Sequence, residues 1–190
     1  MPKVQNQRRR SVPRKITASS IERAAQYHIA RFATSSENLR QVLKRRILRA
    51  SKYHNTDITA SLELVDKLIR HYLERGILDD KCYALTQALK MNRRGKSIKY
   101  IRSWLYKKDI SKKIINNVLK ELFSNNNNPD LIAALSFARK RQFGPYRKKN
   151  DGISEIDKEY AAFARSGFSY SLAKQIIEAQ NIENLENKLL

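Results

Sequence analysis

The sequence predicts an all-α fold of about three tandem three-helix repeats, on three observations. Glycine (5) and proline (4) are scarce among 190 residues, and two of the prolines, Pro2 and Pro13, fall in the first fifteen; with Lys, Leu, Ala, Ile and Arg abundant, this favours helices over a turn-rich β-fold. Hydrophobic residues make up 41% of the chain and recur at three- and four-residue steps, the period of a half-buried helix. Polar breaks punctuate these stretches, and their turns resemble one another.

Residues 1–19 form a basic arm, with Lys3, Arg8, Arg9, Arg10, Arg14 and Lys15 unopposed by acid, a composition expected to stay flexible. The first repeat spans 20–77. Ser19 or Ser20 is the expected N-cap of a helix carrying Ile21, Ala24, Ala25, Ile29 and Phe32. Leu39, Val42, Leu43 and Ile47 mark a second helix after the break at 34–36. Leu62, Val65, Leu68, Ile69 and Leu73 mark a third, ended by Gly76, since glycine accepts the left-handed conformation common just past a helix.

The second repeat, 78–125, restarts at Asp79-Asp80, whose carboxylates suit the positive end of a helix that stops near Gly95. Ser97 caps a helix with Ile98, Ile101 and Leu105 on one face. Asp109-Ile110-Ser111 makes a turn, Asp tolerating the left-handed position, and Ser111 caps a helix with Ile114, Ile115, Val118 and Leu122. Ser124 to Pro129 is a boundary. The third repeat, 126–190, holds a helix with Leu131, Leu135 and Ala138, a break near Gly144-Pro145, a polar loop at 147–152, a helix with Ile156, Tyr160 and Phe163, the turn Gly167-Phe168-Ser169 and a last helix with Leu172, Ile176 and Ile177. The turns at Leu73, Leu105 and Phe163 each run from an apolar residue through basic residues to a Gly or Asp followed by an apolar one. Leu43-Lys44-Arg45-Arg46-Ile47 reads as a shorter version, and the spacing of Leu43, Leu105 and Phe163 suits an elongated, curved array.

The 39 Lys and Arg against 18 Asp and Glu leave a net charge of +21, and the isoelectric point is near 10.3. Such an excess opposes compaction by self-repulsion and points to a polyanionic partner. No apolar run approaches the roughly 20 residues that span a bilayer, so a membrane partner is not expected. No apolar segment follows the basic N-terminus as in a secretory signal, and the single cysteine, Cys82, cannot form an internal disulfide. A cytoplasmic monomer is the expectation.

Nothing in the residue pattern points to an enzyme. His28, His54 and His71 are scattered, and none stands at metal-ligand spacing with Cys82. Cys82 itself reads as a packed thiol with no paired base. Gly95-Lys96-Ser97 mimics the end of a phosphate loop, but position 90 is Lys where that motif needs glycine, and a helix precedes it where a strand is required. No catalytic, cofactor or metal site is expected.

The basic clusters carry more information. Lys90 to Lys113 holds ten Lys and Arg opposed only by Asp109. Within it Lys99, Arg102 and Tyr106 share one helical side, opposite Ile98, Ile101, Trp104 and Leu105, and Arg93, Arg94 and Lys96 extend the charge from one end. An ordinary solvated face mixes both signs; this one does not. Trp104 borders the apolar arc and reads as core. The expected contact residues are Arg93, Arg94, Lys96, Lys99, Arg102, Lys107 and Lys108, with Arg45 and Arg46 in the first repeat and Arg139, Arg141 and Lys148 in the third. On composition alone, a stand-alone helical DNA- or RNA-binding module accounts for these clusters as well.

The order Leu78-Asp79-Asp80, Tyr83-Ala84, Arg93-Arg94-Gly95-Lys96, then Ile98, Ile101, Leu105 and Lys108, with Gly167-Phe168-Ser169 later, resembles the signature of the RecX regulatory proteins over roughly residues 20–185. Two positions depart: Cys82 stands where the family usually has an aromatic or basic residue, and Lys108-Asp109 where it has a Lys-Gly turn. The resemblance implies a tandem three-helix fold and a bacterial cytoplasmic modulator of RecA. Such a protein would lie in the groove of the RecA–DNA filament, beside single-stranded DNA, and limit strand exchange, ATP hydrolysis and co-protease activity. It also implies that Arg94 and Lys96 face the partner, while Asp79, Asp80, Tyr83, Ala84, Gly95, Ile101 and Leu105 hold the fold.

Overall fold

The computed structural model describes residues 12–124, 128–147, 156–179, 181 and 183. Among these residues the protein is all-helical, with nine α-helices, a short 3-10 turn at Gly144–Tyr146 and no strand. The chain parts into two compact units between Asp79 and Asp80. Most of the arm, Lys148 and most of the 147–152 loop lie outside the described residues.

The first unit holds α1 (Ala18–Ile29), α2 (Ser36–Ala50) and α3 (Ile58–Glu74). Thr17, rather than Ser19 or Ser20, caps α1. Its hydroxyl accepts from the Ser20 N–H, and Ser20 answers with its own hydroxyl toward the Thr17 N–H. A serine at the third helical position thus completes the reciprocal cap that Glu or Gln usually completes, which drew the expected helix start inward. Ser35 and Asp57 cap α2 and α3. Each helix buries one stripe, and Leu39, Leu43 and Ile47 of α2 join Val65, Ile69 and Tyr72 of α3 with Ile21, Ala25 and Leu78 in one core. Leu43-Lys44-Arg45-Arg46-Ile47 lies inside α2 and is not a turn.

The second unit runs α4 (Asp80–Arg93), α5 (Ile98–Tyr106), α6 (Lys112–Phe123), α7 (Pro129–Arg141), α8 (Ile156–Arg165) and α9 (Tyr170–Ile177). The helices α4 to α6 enclose a core of Ala84, Ala88, Met91, Ile101, Leu105, Ile115 and Val118, among others. The helices α7 to α9 enclose a second, in which Phe163 meets Phe137 edge-on at 5.2 Å. Ser97, Ser111, Asn128 and Ser169 cap α5, α6, α7 and α9, and Pro129 opens α7, where its missing N–H costs nothing. Cys82 is exposed, not packed, because the buried stripe of α4 runs through Ala84, Ala88 and Met91 and position 82 points away from it.

The turn likeness has a physical origin. After α3, α5 and α8 the backbone N–H of an apolar residue (Ile77, Ile110, Phe168) bonds back to the carbonyl five residues earlier (Tyr72, Leu105, Phe163). The preceding residue, Gly76, Asp109 or Gly167, takes positive φ. This is the Schellman stop, with its apolar residue folded back onto the helix. Gln142-Phe143 repeats it after α7, with Gln142 left-handed at φ 61°.

Two features lock the second unit. Glu159 is 2% exposed; its Oε1 accepts from Arg147 Nε at 2.5 Å, and its Oε2 accepts from Arg147 Nη2 at 2.8 Å and the Gly144 N–H at 3.1 Å. A charge this buried is tolerated only when so paired, and the pairing ties the 3-10 turn to α8. Arg147, at the start of the 147–152 loop, is therefore engaged internally. The second lock joins α4–α6 to α7–α9: the Ser97 N–H donates to the Ser166 carbonyl at 3.1 Å and the Ile98 N–H to Asp130 Oδ1 at 2.8 Å.

Candidate partner-binding surfaces

The basic residues gather differently in space than along the chain. In the second unit the ends of α4 and α7 meet. Lys140 Nζ donates to the Arg93 carbonyl, so a cation caps the negative end of α4. Arg141 lies close enough to Lys96 for its charge to act there: burial first, then Arg141, holds the Lys96 ammonium below the usual lysine range. The second and third sequence clusters therefore share a surface made by Arg93, Arg94, Arg139, Lys140 and Arg141, all exposed. Arg139 also lies over the Tyr146 ring, 5.7 Å from its centroid.

The face expected on α5 is present. Lys99, Arg102 and Tyr106 are exposed while Ile101 and Leu105 are fully buried. Arg102 donates to Asn116 Oδ1 of α6, and Lys112 sits 5.8 Å from the Tyr106 ring centroid, so α6 adds a cation to that face. Trp104 packs on the core of α4 to α6 and carries Lys108 Nζ 5.4 Å above its ring. Among the described residues, Arg93, Arg94, Lys99, Arg102, Lys107 and Arg141 form no salt bridge with a carboxylate.

Lys96 stands apart from its neighbours. Its ammonium donates to Ser166 Oγ at 3.2 Å and lies 4.6 Å from the Tyr100 ring centroid, and Ser166 is buried. The Gly95-Lys96-Ser97 segment thus meets the Ser166-Gly167 turn inside the unit. It joins α4 to α5.

In the first unit a cleft of about 700 Å³ opens between α1 and α2. Five arginines line it: Arg45 and Arg46, singled out in the sequence, and Arg14, Arg23 and Arg49, of which Arg14 and Arg23 belong to no sequence cluster around Arg45. Helical spacing puts Arg45 and Arg49 four residues apart on one side of α2, and Arg23 four before Tyr27 on α1. Arg14 is brought in from outside the helices: His54 Nε2 donates to the Pro13 carbonyl at 2.6 Å and pins the chain beside the cleft. That long-range bond left no trace in local sequence pattern. His28 also lines the cleft, its imidazole held below the usual histidine range by burial and then by Arg45.

Among the described residues no group of three His, Cys, Asp or Glu side chains is placed to hold a metal ion, and no helix is long and apolar enough to cross a membrane. Among the described residues the protein is of the all-helical class, with basic side chains gathered on exposed faces. The chain is 30% identical over 168 residues to the Regulatory protein RecX of Myxococcus xanthus, covering 88% of this chain and 89% of that relative. It is 36% identical over 112 residues to the Regulatory protein RecX of Agrobacterium fabrum, 59% of this chain and 57% of the relative. It is also 31% identical over 117 residues to that of Finegoldia magna, 61% and 56%. The chain belongs to the RecX family of regulatory proteins. No family model matches it, and no solved structure does.

Proposed function

We propose that this protein is a non-enzymatic, monomeric, cytoplasmic regulator of RecA. It binds the RecA filament on single-stranded DNA and limits the filament's recombinase, ATPase and co-protease activities. The observation that carries the reading is the second-unit surface: Arg93, Arg94, Lys99 and Arg102 are exposed and form no salt bridge among the described residues. Cations left without carboxylate partners raise the protein's own electrostatic energy unless a polyanionic assembly neutralises them. A filament offers both DNA phosphates and protein surface. The three helix triplets, α1–α3, α4–α6 and α7–α9, are read as three repeats, each presenting basic side chains to that partner.

The five-arginine cleft favours a second reading, a stand-alone nucleic-acid-binding module. Titrating a dye-labelled single strand, bare and RecA-coated, separates the two. The regulator reading predicts tighter binding to the coated strand. Tight binding to the bare strand with none to the filament favours the module, and its affinity would fall steeply with salt as phosphate counterions are released.

A further inference from the structure

The cleft of the first unit differs in chemistry from the second-unit surface. Arg45, Arg46 and Arg49 line one wall, on α2, and Arg23 the other, on α1; all four are exposed. No acidic side chain lines the cleft among the described residues. Guanidinium forks suit phosphate oxygens bidentately, and a polyanion that reaches several of them together relieves their mutual repulsion while releasing their counterions.

Tyr27 narrows the ligand class. Its ring borders the cleft and is 59% exposed, with the Arg31 guanidinium 4.5 Å from its centroid. An exposed tyrosine braced by arginine beside a row of phosphate-binding forks is the combination by which proteins hold an unpaired nucleotide, the base stacked and the backbone neutralised. A duplex keeps its bases stacked inside and offers none to Tyr27. An acidic peptide offers charge but no planar face.

The geometry points to a single-stranded nucleic-acid site between α1 and α2, with backbone phosphates on Arg23, Arg45, Arg46 and Arg49 and one base on Tyr27. It rests on the proposed function only in that the filament contains such a strand, and it is tested without RecA.

The test is fluorescence anisotropy of a dye-labelled oligothymidylate with the full chain. Reversing Arg45→Glu together with Arg49→Glu should weaken binding by about 30-fold or more and lower the salt slope by about two. Tyr27→Ala should weaken it about tenfold with the slope unchanged. Arg45→Lys with Arg49→Lys should weaken binding less than the reversal and leave the salt slope unchanged, because the charge remains while the bidentate forks are lost. In the unaltered protein, adding the strand should shift the ring resonances of His28, which lines the cleft, more than those of His71, which does not. That readout stands even where a reversed variant fails to fold. Unchanged binding in a folded double reversal would overturn the site, as would a strand that leaves His28 unmoved. Displacement of the strand by polyglutamate at equal charge would assign the cleft to acidic protein instead. Displacement by ATP at equal phosphate would assign it to free nucleotide. Loss of RecA inhibition with these results intact would count against the proposed function and not against the cleft.

Discussion

Replacing Arg94, Lys99 and Arg102 together with Glu should lower affinity for the RecA filament by at least about 100-fold, since like charges forced together at an interface cost several kcal/mol, while the helical circular dichroism stays unchanged. All three side chains are exposed, so the fold does not depend on them. Among the described residues Arg102 bonds a neutral partner, Asn116, whose amide nitrogen can donate to a glutamate in its place. Lys96 stays unchanged in this variant. Its ammonium holds Ser166 and packs on Tyr100, so reversing it would loosen the joint between α4–α6 and α7–α9 and confuse lost binding with lost structure. Filament affinity within a few-fold of the original, measured by co-sedimentation, would remove this surface from the interface.

Gly95→Ala should destabilise the second unit by roughly 2–5 kcal/mol, the sum of about 1–2 for a left-handed alanine and about 1–3 for overpacking a close-packed contact. Gly95 has φ +73°, and a Cβ there would lie 2.7 Å from Phe137 Cβ, 3.0 Å from its Cα and 3.2 Å from the Ala133 carbonyl. The clash is with the backbone and first side-chain carbon of α7, which cannot swing aside. Gly76→Ala is the control. Gly76 has a similar φ of +67° but nothing within 4 Å of the added carbon, so it should lose only the conformational part, about 1–2 kcal/mol. Urea unfolding followed by far-UV circular dichroism reads both. Equal losses at the two sites would show that the Gly95 contact carries no weight.

These two glycines show what the sequence could and could not convey. The helix stops at Gly76, Asp109 and Gly167 were legible because the Schellman turn is local: a left-handed residue and an apolar one, read within six positions. The same locality misled the repeat comparison. Leu43-Lys44-Arg45-Arg46-Ile47 has the right residue types but no residue suited to positive φ, and it is an ordinary turn of α2. The amphipathic stripes of α2, α3 and α5 followed from periodicity, and with them the exposure of Lys99 and Arg102. Long-range pairings did not. Nothing near Lys96 in the sequence announces Ser166, seventy positions away. Nothing near Arg14 announces that His54 will hold its neighbour Pro13 beside α2. Nothing near Arg147 announces Glu159, twelve positions on, which folds against it. Charge density was therefore visible in advance, while the division of that charge into internal locks and outward faces was not.

The central claim is that the protein restrains RecA. It is tested most directly by RecA ATP hydrolysis on single-stranded DNA with this protein added below one copy per RecA. Hydrolysis should fall progressively while electron microscopy shows filaments present at the start, and the Arg94, Lys99 and Arg102 reversal should restore it. Undiminished hydrolysis with intact filaments would contradict the claim.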